Sequence, residues 1–156
     1  MKTIGICDQV VDWTAAFLRD RTQTVTLRGT ASNSCPVTSG VPQGSVIGSA
    51  LFLIYINDLP SRAKSQVRLF ADDTIIYTTA NNSDQLMSDL KSLETWEKEW
   101  NMEFHLAKCE FIRFSRKRNK PPIPHYTLHD KIIPTTKTIK YLGVKIQEDL
   151  KWNSHI

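Results

Sequence analysis

The chain has 156 residues, 40% hydrophobic and 23% charged, which are ordinary values for one globular domain with a real core. Its net charge of +4 is mildly basic, enough to favour a polyanionic partner and too little to establish one. Cys7, Cys35 and Cys109 are widely spaced without a CxxC pair, which argues against a disulfide framework or zinc site; no apolar run approaches a membrane span, and the N-terminus lacks an apolar signal core, so an intracellular, reducing location is expected.

Residues Asp8 to Arg19 read as a helix, with Val10, Val11, Ala15, Phe17 and Leu18 on a broad apolar face and Trp13 beside it. Gln23 to Leu27 is β-branched and alternating, a strand ending near Gly29, and Cys35 to Thr38 is a short candidate partner. The loop Ser39-Gly40-Val41-Pro42-Gln43-Gly44-Ser45 follows. Its glycines let the backbone come close to a ligand, and Gln43 can hydrogen-bond a base or sugar edge. No Gly-Lys-Ser/Thr follows, so it is not a Walker A loop, and taken alone it reads better as a plain turn into a helix. That helix is apolar, roughly Gly48 to Asp58, and Pro60 stops it.

The runs Val67 to Ala71 and Thr74 to Tyr77 flank Asp72-Asp73, so a hairpin turning at the two aspartates is expected. Asp-Asp suits such a turn poorly, because neither residue accepts positive φ as glycine does. Adjacent carboxylates also repel. Divalent cations explain the arrangement best: Mg²⁺ takes one or two carboxylates plus phosphates and water, and two ions about 3.5–4 Å apart clamp the attacking and leaving oxygens of a phosphoryl transfer. From the hairpin alone, a solvated acidic turn is an equal reading.

Asn81 to Asp84 signals a turn and helix start, and Leu86, Leu90, Leu93, Trp96 and Trp100 step by four, three, three and four along an amphipathic helix. That spacing favours core packing over base stacking for both tryptophans. Phe111 to Phe114, Tyr126 to Leu128 and Ile139 to Ile146 read as strands, His125 and His129 as strand and turn residues, and Arg116, Lys117, Arg118 and Lys120 as a basic loop that either touches phosphates or is solvated. Strands mixed with helices, without regular βαβ alternation, predict an α+β fold: an antiparallel sheet with helices packed on one face.

The ordered string SGVPQGS, LFLIYINDLP and LFADD, spanning Ser39 to Asp73, resembles the palm domain of reverse transcriptases from non-LTR (LINE-like) retrotransposons. The likeness continues through Trp96, Trp100 to Phe104, Lys108-Cys109, Tyr141 to Val144 and Leu150 to Ile156, and upstream through Trp13, Phe17-Leu18, Arg21 and Gln23 to Val25. Five ordered blocks agree, covering nearly the whole chain.

The resemblance implies an RNA-directed DNA polymerase that joins a deoxynucleoside triphosphate to a primer 3′-hydroxyl. Asp72 and Asp73 would be the metal-binding pair for two Mg²⁺ ions (Mn²⁺ as a substitute), with Phe70 and Ala71 completing the motif. Gln43 and Gly44 would face the nucleotide and the templating pair. Lys108 would assist the leaving pyrophosphate, and Tyr141, Leu142 and Gly143 would grip the primer. Partners would be an RNA template, a DNA primer and dNTPs, with no membrane. Residues 1–140 would be a partial palm and 141–156 the palm-to-thumb segment. Ile47 and Ser49 stand where the family usually has Leu and Pro, and His105 where it usually has Asn. The resemblance also implies a third carboxylate upstream of the first helix, so the fingers and first palm strand are expected to be missing. Asp8, Asp12 and Asp20 read as surface charges rather than substitutes. The expectation is a fragment, inactive alone, of a larger polyprotein with fingers and endonuclease parts and a nuclear site of action. The alternative is a non-catalytic nucleic-acid-binding remnant of a mobile element. A nucleotide cyclase would carry a Gly-Gly-Asp/Glu turn, and Phe70 to Asp73 is none.

Overall fold

The computed structural model describes residue 1 and residues 4–115 and 122–152; the basic loop Arg116 to Lys120 and residues 153–156 lie outside the described residues. The chain divides into two compact units, Met1–Asn57 and Asp58–Ile156.

In the first unit, α1 (Asp8–Leu18) begins with Asp8, whose charge suits the positive end of the helix dipole. Trp13 and Phe17, one turn apart, stack with ring centroids 5.7 Å apart. Next come β1 (Thr22–Gln23), β2 (Thr26–Leu27), β3 (Thr30–Ala31) and β4 (Cys35–Pro36). The β2–β3 hairpin nests inside the outer antiparallel pair β1–β4. Arg28 and Gly29 turn the inner hairpin with φ of 50° and 82°, the all-positive pattern of a type I′ turn. The expected strand over Gln23 to Leu27 is therefore two short strands. α2 (Val46–Ile56) starts two residues earlier than the apolar run suggests, because Ser45 caps it by accepting the Gly48 N–H at 3.0 Å. α2 is apolar on every side, yet Gly48 and Ile56 are its buried residues, and Val46 is 96% exposed.

In the second unit, a 3₁₀ turn (Leu59–Arg62) with Pro60 near its start leads into the hairpin β5 (Gln66–Phe70) and β6 (Asp73–Tyr77). α3 (Ser83–Trp100) follows, as the leucine spacing predicts, and buries Leu86, Leu90, Leu93 and Trp96. Each buried leucine contributes about 1.5–3 kcal/mol relative to exposure. Leu86 and Leu90 join Tyr126 and Leu128 in the core, with Phe104, Phe111 and Ile133 packed around them. Asn101, at φ 51°, ends α3 in the left-handed conformation usual for a C-cap. The remaining strands form two more antiparallel hairpins, β7 (Thr127–Leu128) with β8 (Lys131–Ile132), and β9 (Thr138–Tyr141) with β10 (Val144–Gln147).

The fold is α+β, but the expected single antiparallel sheet is instead five separate two-stranded ladders among the described residues. Four of the five join sequence neighbours across a two-residue turn, where loop closure costs least. The predicted strand Phe111 to Phe114 reduces to one parallel bridge between Phe111 and Thr135.

Candidate active site

The β5–β6 hairpin carries the acidic pair. Its register runs Gln66↔Tyr77, Val67↔Ile76, Arg68↔Ile75, Leu69↔Thr74 and Phe70↔Asp73. The two-residue turn is therefore Ala71-Asp72, one residue earlier than the sequence suggests, and Asp73 opens the return strand. Ala71 takes the positive φ, 51°, and Asp72 does not. Among two-residue hairpin turns this is the φ pattern of type II′, whose first position glycine usually fills. The shift resolves the poor fit of Asp-Asp to the turn: neither aspartate needs positive φ, because the alanine takes it.

Side chains alternate across the hairpin. Val67, Leu69, Thr74 and Ile76 share one face, on which Val67 is buried and the other three are half-buried. Gln66, Arg68, Phe70, Asp73, Ile75 and Tyr77 share the other, and all but the half-buried Ile75 are exposed. Phe70 is 60% exposed, and the Arg68 guanidinium lies 5.9 Å from the centre of the Tyr77 ring. Asp72 and Asp73 project at the exposed tip, and among the described residues neither forms an ion pair.

The base of the hairpin is held by a residue the sequence reading missed. Asp89, on α3 and 2% exposed, accepts the backbone N–H of Lys64 at 3.0 Å and of Ser65 at 2.8 Å, and the Gln85 side chain at 2.9 Å. Burial alone would raise its pKa, but hydrogen bonding from Ser65, Lys64 and Gln85 holds the carboxyl below its ordinary value. Asp58 is a second missed anchor. It accepts the indole N–H of Trp96 at 2.9 Å and of Trp100 at 3.2 Å, and pairs with Arg62 at 3.3 Å. Burial again pushes upward, and the Trp96, Arg62 and Trp100 hydrogen bonds win, leaving Asp58 below its ordinary value. Arg62 also meets Glu99 at 2.7 Å. The predicted core role holds for Trp96, at 1% exposure; Trp100 is half-buried.

Lys108 is exposed and ends a 3₁₀ turn (Leu106–Lys108). Buried Glu97 fixes the segment that leads there: its carboxylate accepts the Phe104 N–H and lies 2.8 Å from His129 Nε2, while Glu94 accepts the His129 backbone N–H. His129 is thus a turn residue tying β7–β8 to α3. Among the described residues Lys108 pairs with neither Asp72 nor Asp73. Tyr141 closes β9 opposite Val144, and Leu142 and Gly143 turn to β10 with φ of 48° and 84°, a type I′ pattern.

Gln43 and Gly44 belong to the first unit and form an exposed turn. The Ser45 N–H meets the Pro42 carbonyl at 3.3 Å, and Gly44 takes a φ of 79°, as position i+2 of a type II turn requires. A Cβ on Gly48 would sit 2.7 Å from the Pro42 oxygen, so only glycine lets turn and helix meet.

Asp72 and Asp73 offer hard oxygen donors, exposed and, among the described residues, not spent on cationic neighbours, which fits a divalent cation that keeps water and phosphate ligands. No group of three His, Cys, Asp or Glu side chains among the described residues could hold a metal ion by itself.

A reverse transcriptase (RNA-dependent DNA polymerase) family profile matches residues 1–146, and the chain belongs to that family. It is 28% identical over 153 residues to the RNA-directed DNA polymerase from mobile element jockey of Drosophila melanogaster, covering 90% of this chain and 16% of the relative. It is 29% identical over 150 residues to a probable RNA-directed DNA polymerase from transposon X-element of the same fly, again covering 90% of this chain and 16% of the relative. A third relative, the probable RNA-directed DNA polymerase from transposon BS, is 27% identical over 153 residues. These relatives bear out the resemblance to non-LTR retrotransposon polymerases, of whose first two members the chain spans 16% of the length. No solved structure matches it. Among the described residues no helix is long and apolar enough to cross a membrane.

Proposed function

We propose that this chain is a palm segment of an RNA-directed DNA polymerase, with residues 1–140 forming palm and residues from 141 leading toward a thumb. The carrying observation is the pair of adjacent, exposed carboxylates, without a cationic partner among the described residues, at the tip of a hairpin anchored from below by Asp89. Asp72 is the firmer ligand for Mg²⁺ and Asp73 the weaker. Bound divalent cations supply charge neutralisation and in-line alignment for attack of a primer 3′-hydroxyl on a dNTP. Gln43 and Gly44 contact the nucleotide and template, Phe70 and Ala71 complete the acidic motif as nucleotide- and template-binding residues, and Lys108 offers its ammonium to the departing pyrophosphate. Tyr141, Leu142 and Gly143 grip the primer strand. The template is RNA, and fingers and endonuclease parts belong to the parent polyprotein.

Two carboxylates leave a two-ion cradle one ligand short among the described residues. The isolated 156 residues therefore bind a divalent ion weakly and do not polymerise. Mn²⁺ broadening of the amide signals of Phe70 to Thr74, lost in Asp72→Asn, is the expected result. Equal broadening in both proteins overturns the metal role, and template-dependent primer extension by the isolated chain overturns its inactivity. Nucleic-acid binding without any Mn²⁺ effect would favour the non-catalytic remnant.

A further inference from the structure

Arg21 lies outside the Pro42–Ser45 turn, yet its side chain reaches the approach to it. Its Nε donates to the Leu18 carbonyl at 3.0 Å, and one terminal nitrogen donates to the carbonyls of Ser39 at 3.2 Å and Gly40 at 2.6 Å. The β1–β4 ladder brings these distant positions together, because the Val37 N–H donates to the Arg21 carbonyl at 2.8 Å and continues the pairing. The guanidinium thus joins the last turn of α1 to the two residues that begin the loop.

The other end of the loop is braced separately. Ser45 Oγ donates to the Pro42 carbonyl at 2.7 Å and accepts the Gly48 N–H at 3.0 Å. Gln43 and Gly44 stand exposed between the two braces. Capping α1 would need the Leu18 bond alone, which a lysine ammonium can also make. The bonds to Ser39 and Gly40 lie beyond the helix, and spanning all three carbonyls needs the fixed fork of a guanidinium.

We propose that Arg21 is a positioning residue, which holds the start of this loop so that Gln43 and Gly44 meet a nucleotide in one preset conformation. The nucleotide part rests on the polymerase reading; the brace does not. The test is amide hydrogen exchange of the 156-residue chain as wild type, Arg21→Lys and Arg21→Ala, with dTTP–Mg²⁺ binding measured beside it. Exchange of the Ser45 amide and of peptides covering residues 39–45 is expected to be at least tenfold faster in both variants. The α1 amides should keep their protection in Arg21→Lys, and millimolar guanidinium ion should restore the loop in Arg21→Ala. Unchanged loop exchange in Arg21→Lys overturns the brace, even if Arg21→Ala does not fold. A loosened loop with at least fivefold weaker dTTP binding supports the whole proposal. A loosened loop with unaltered dTTP affinity overturns the positioning role and leaves a structural clip. A wild-type chain that does not bind dTTP sinks the nucleotide reading of Gln43 and not the brace.

Discussion

The hairpins β5–β6 and β9–β10 share a plan: two antiparallel strands and a two-residue turn. They differ at both ends. β9–β10 turns through Leu142-Gly143 with both φ positive, the arrangement that matches strand twist, and none of its strand residues is buried. β5–β6 turns through Ala71-Asp72, with positive φ at the first position alone, and its base is gripped by buried Asp89. A left-handed alanine costs about 1–2 kcal/mol, and such strain persists where surrounding structure enforces it. Leu142, at φ 48°, carries the same kind of cost at the other tip, so anchorage is what separates the two: the hairpin with the carboxylates is gripped at its base by a buried carboxylate, and the proposed primer-gripping hairpin buries none of its strand residues.

Breaking the anchor should have the largest effect. Asp89→Ala leaves the buried N–H groups near Lys64 and Ser65 without their acceptor and should cost about 3 kcal/mol in urea unfolding. The loss should appear as faster exchange in β5–β6 and not in β9–β10; equal loss in both hairpins would contradict the comparison. Acid should probe the same anchor. The folded pKa of Asp89 is depressed, so its stabilisation is complete above the unfolded value of about 3.9 and fades as pH falls through the lower folded value. Asp89→Asn should be less stable at neutral pH and flatten the fall in stability below pH about 4, read from melting temperatures across that range.

The turns give smaller effects of opposite sign. Gly143→Ala puts a Cβ at φ 84° and should destabilise by about 1–2 kcal/mol, even though a Cβ there meets no atom within 4 Å. Ala71→Gly relieves a left-handed alanine, partly offset by the greater freedom of glycine in the unfolded chain, and should stabilise by about 0.5–1 kcal/mol. A destabilised Ala71→Gly would show that the tip is not strained.

Local pattern made much of this legible. The leucine and tryptophan spacing marks α3, the apolar run and Pro60 mark α2, and paired apolar runs mark β5–β6. The turn register was not legible, because two aspartates look more like a turn than an alanine does; the pairing of Phe70 with Asp73 decides it. Phe111 to Phe114 has a strand-like composition but finds one bridging partner, Thr135, so tertiary context overrides propensity there. Asp58, Asp89 and Glu97 were hidden because a carboxylate beside or within a helix usually reads as surface. The available signal was position: Asp89 precedes Leu90, and Glu97 follows Trp96, on the face that α3 buries. The loop contact of Arg21 gave no local signal, since Ser39 and Gly40, which accept its terminal nitrogen, lie 18 and 19 residues away.

Asp58 also equips the molecule with an optical reporter. Two of the chain's four tryptophans donate their indole N–H groups to this single carboxylate. Their emission is expected to change when that carboxylate loses its charge, so a fluorescence titration in acid should follow the clasp between the Leu59–Arg62 turn and α3 without any added label.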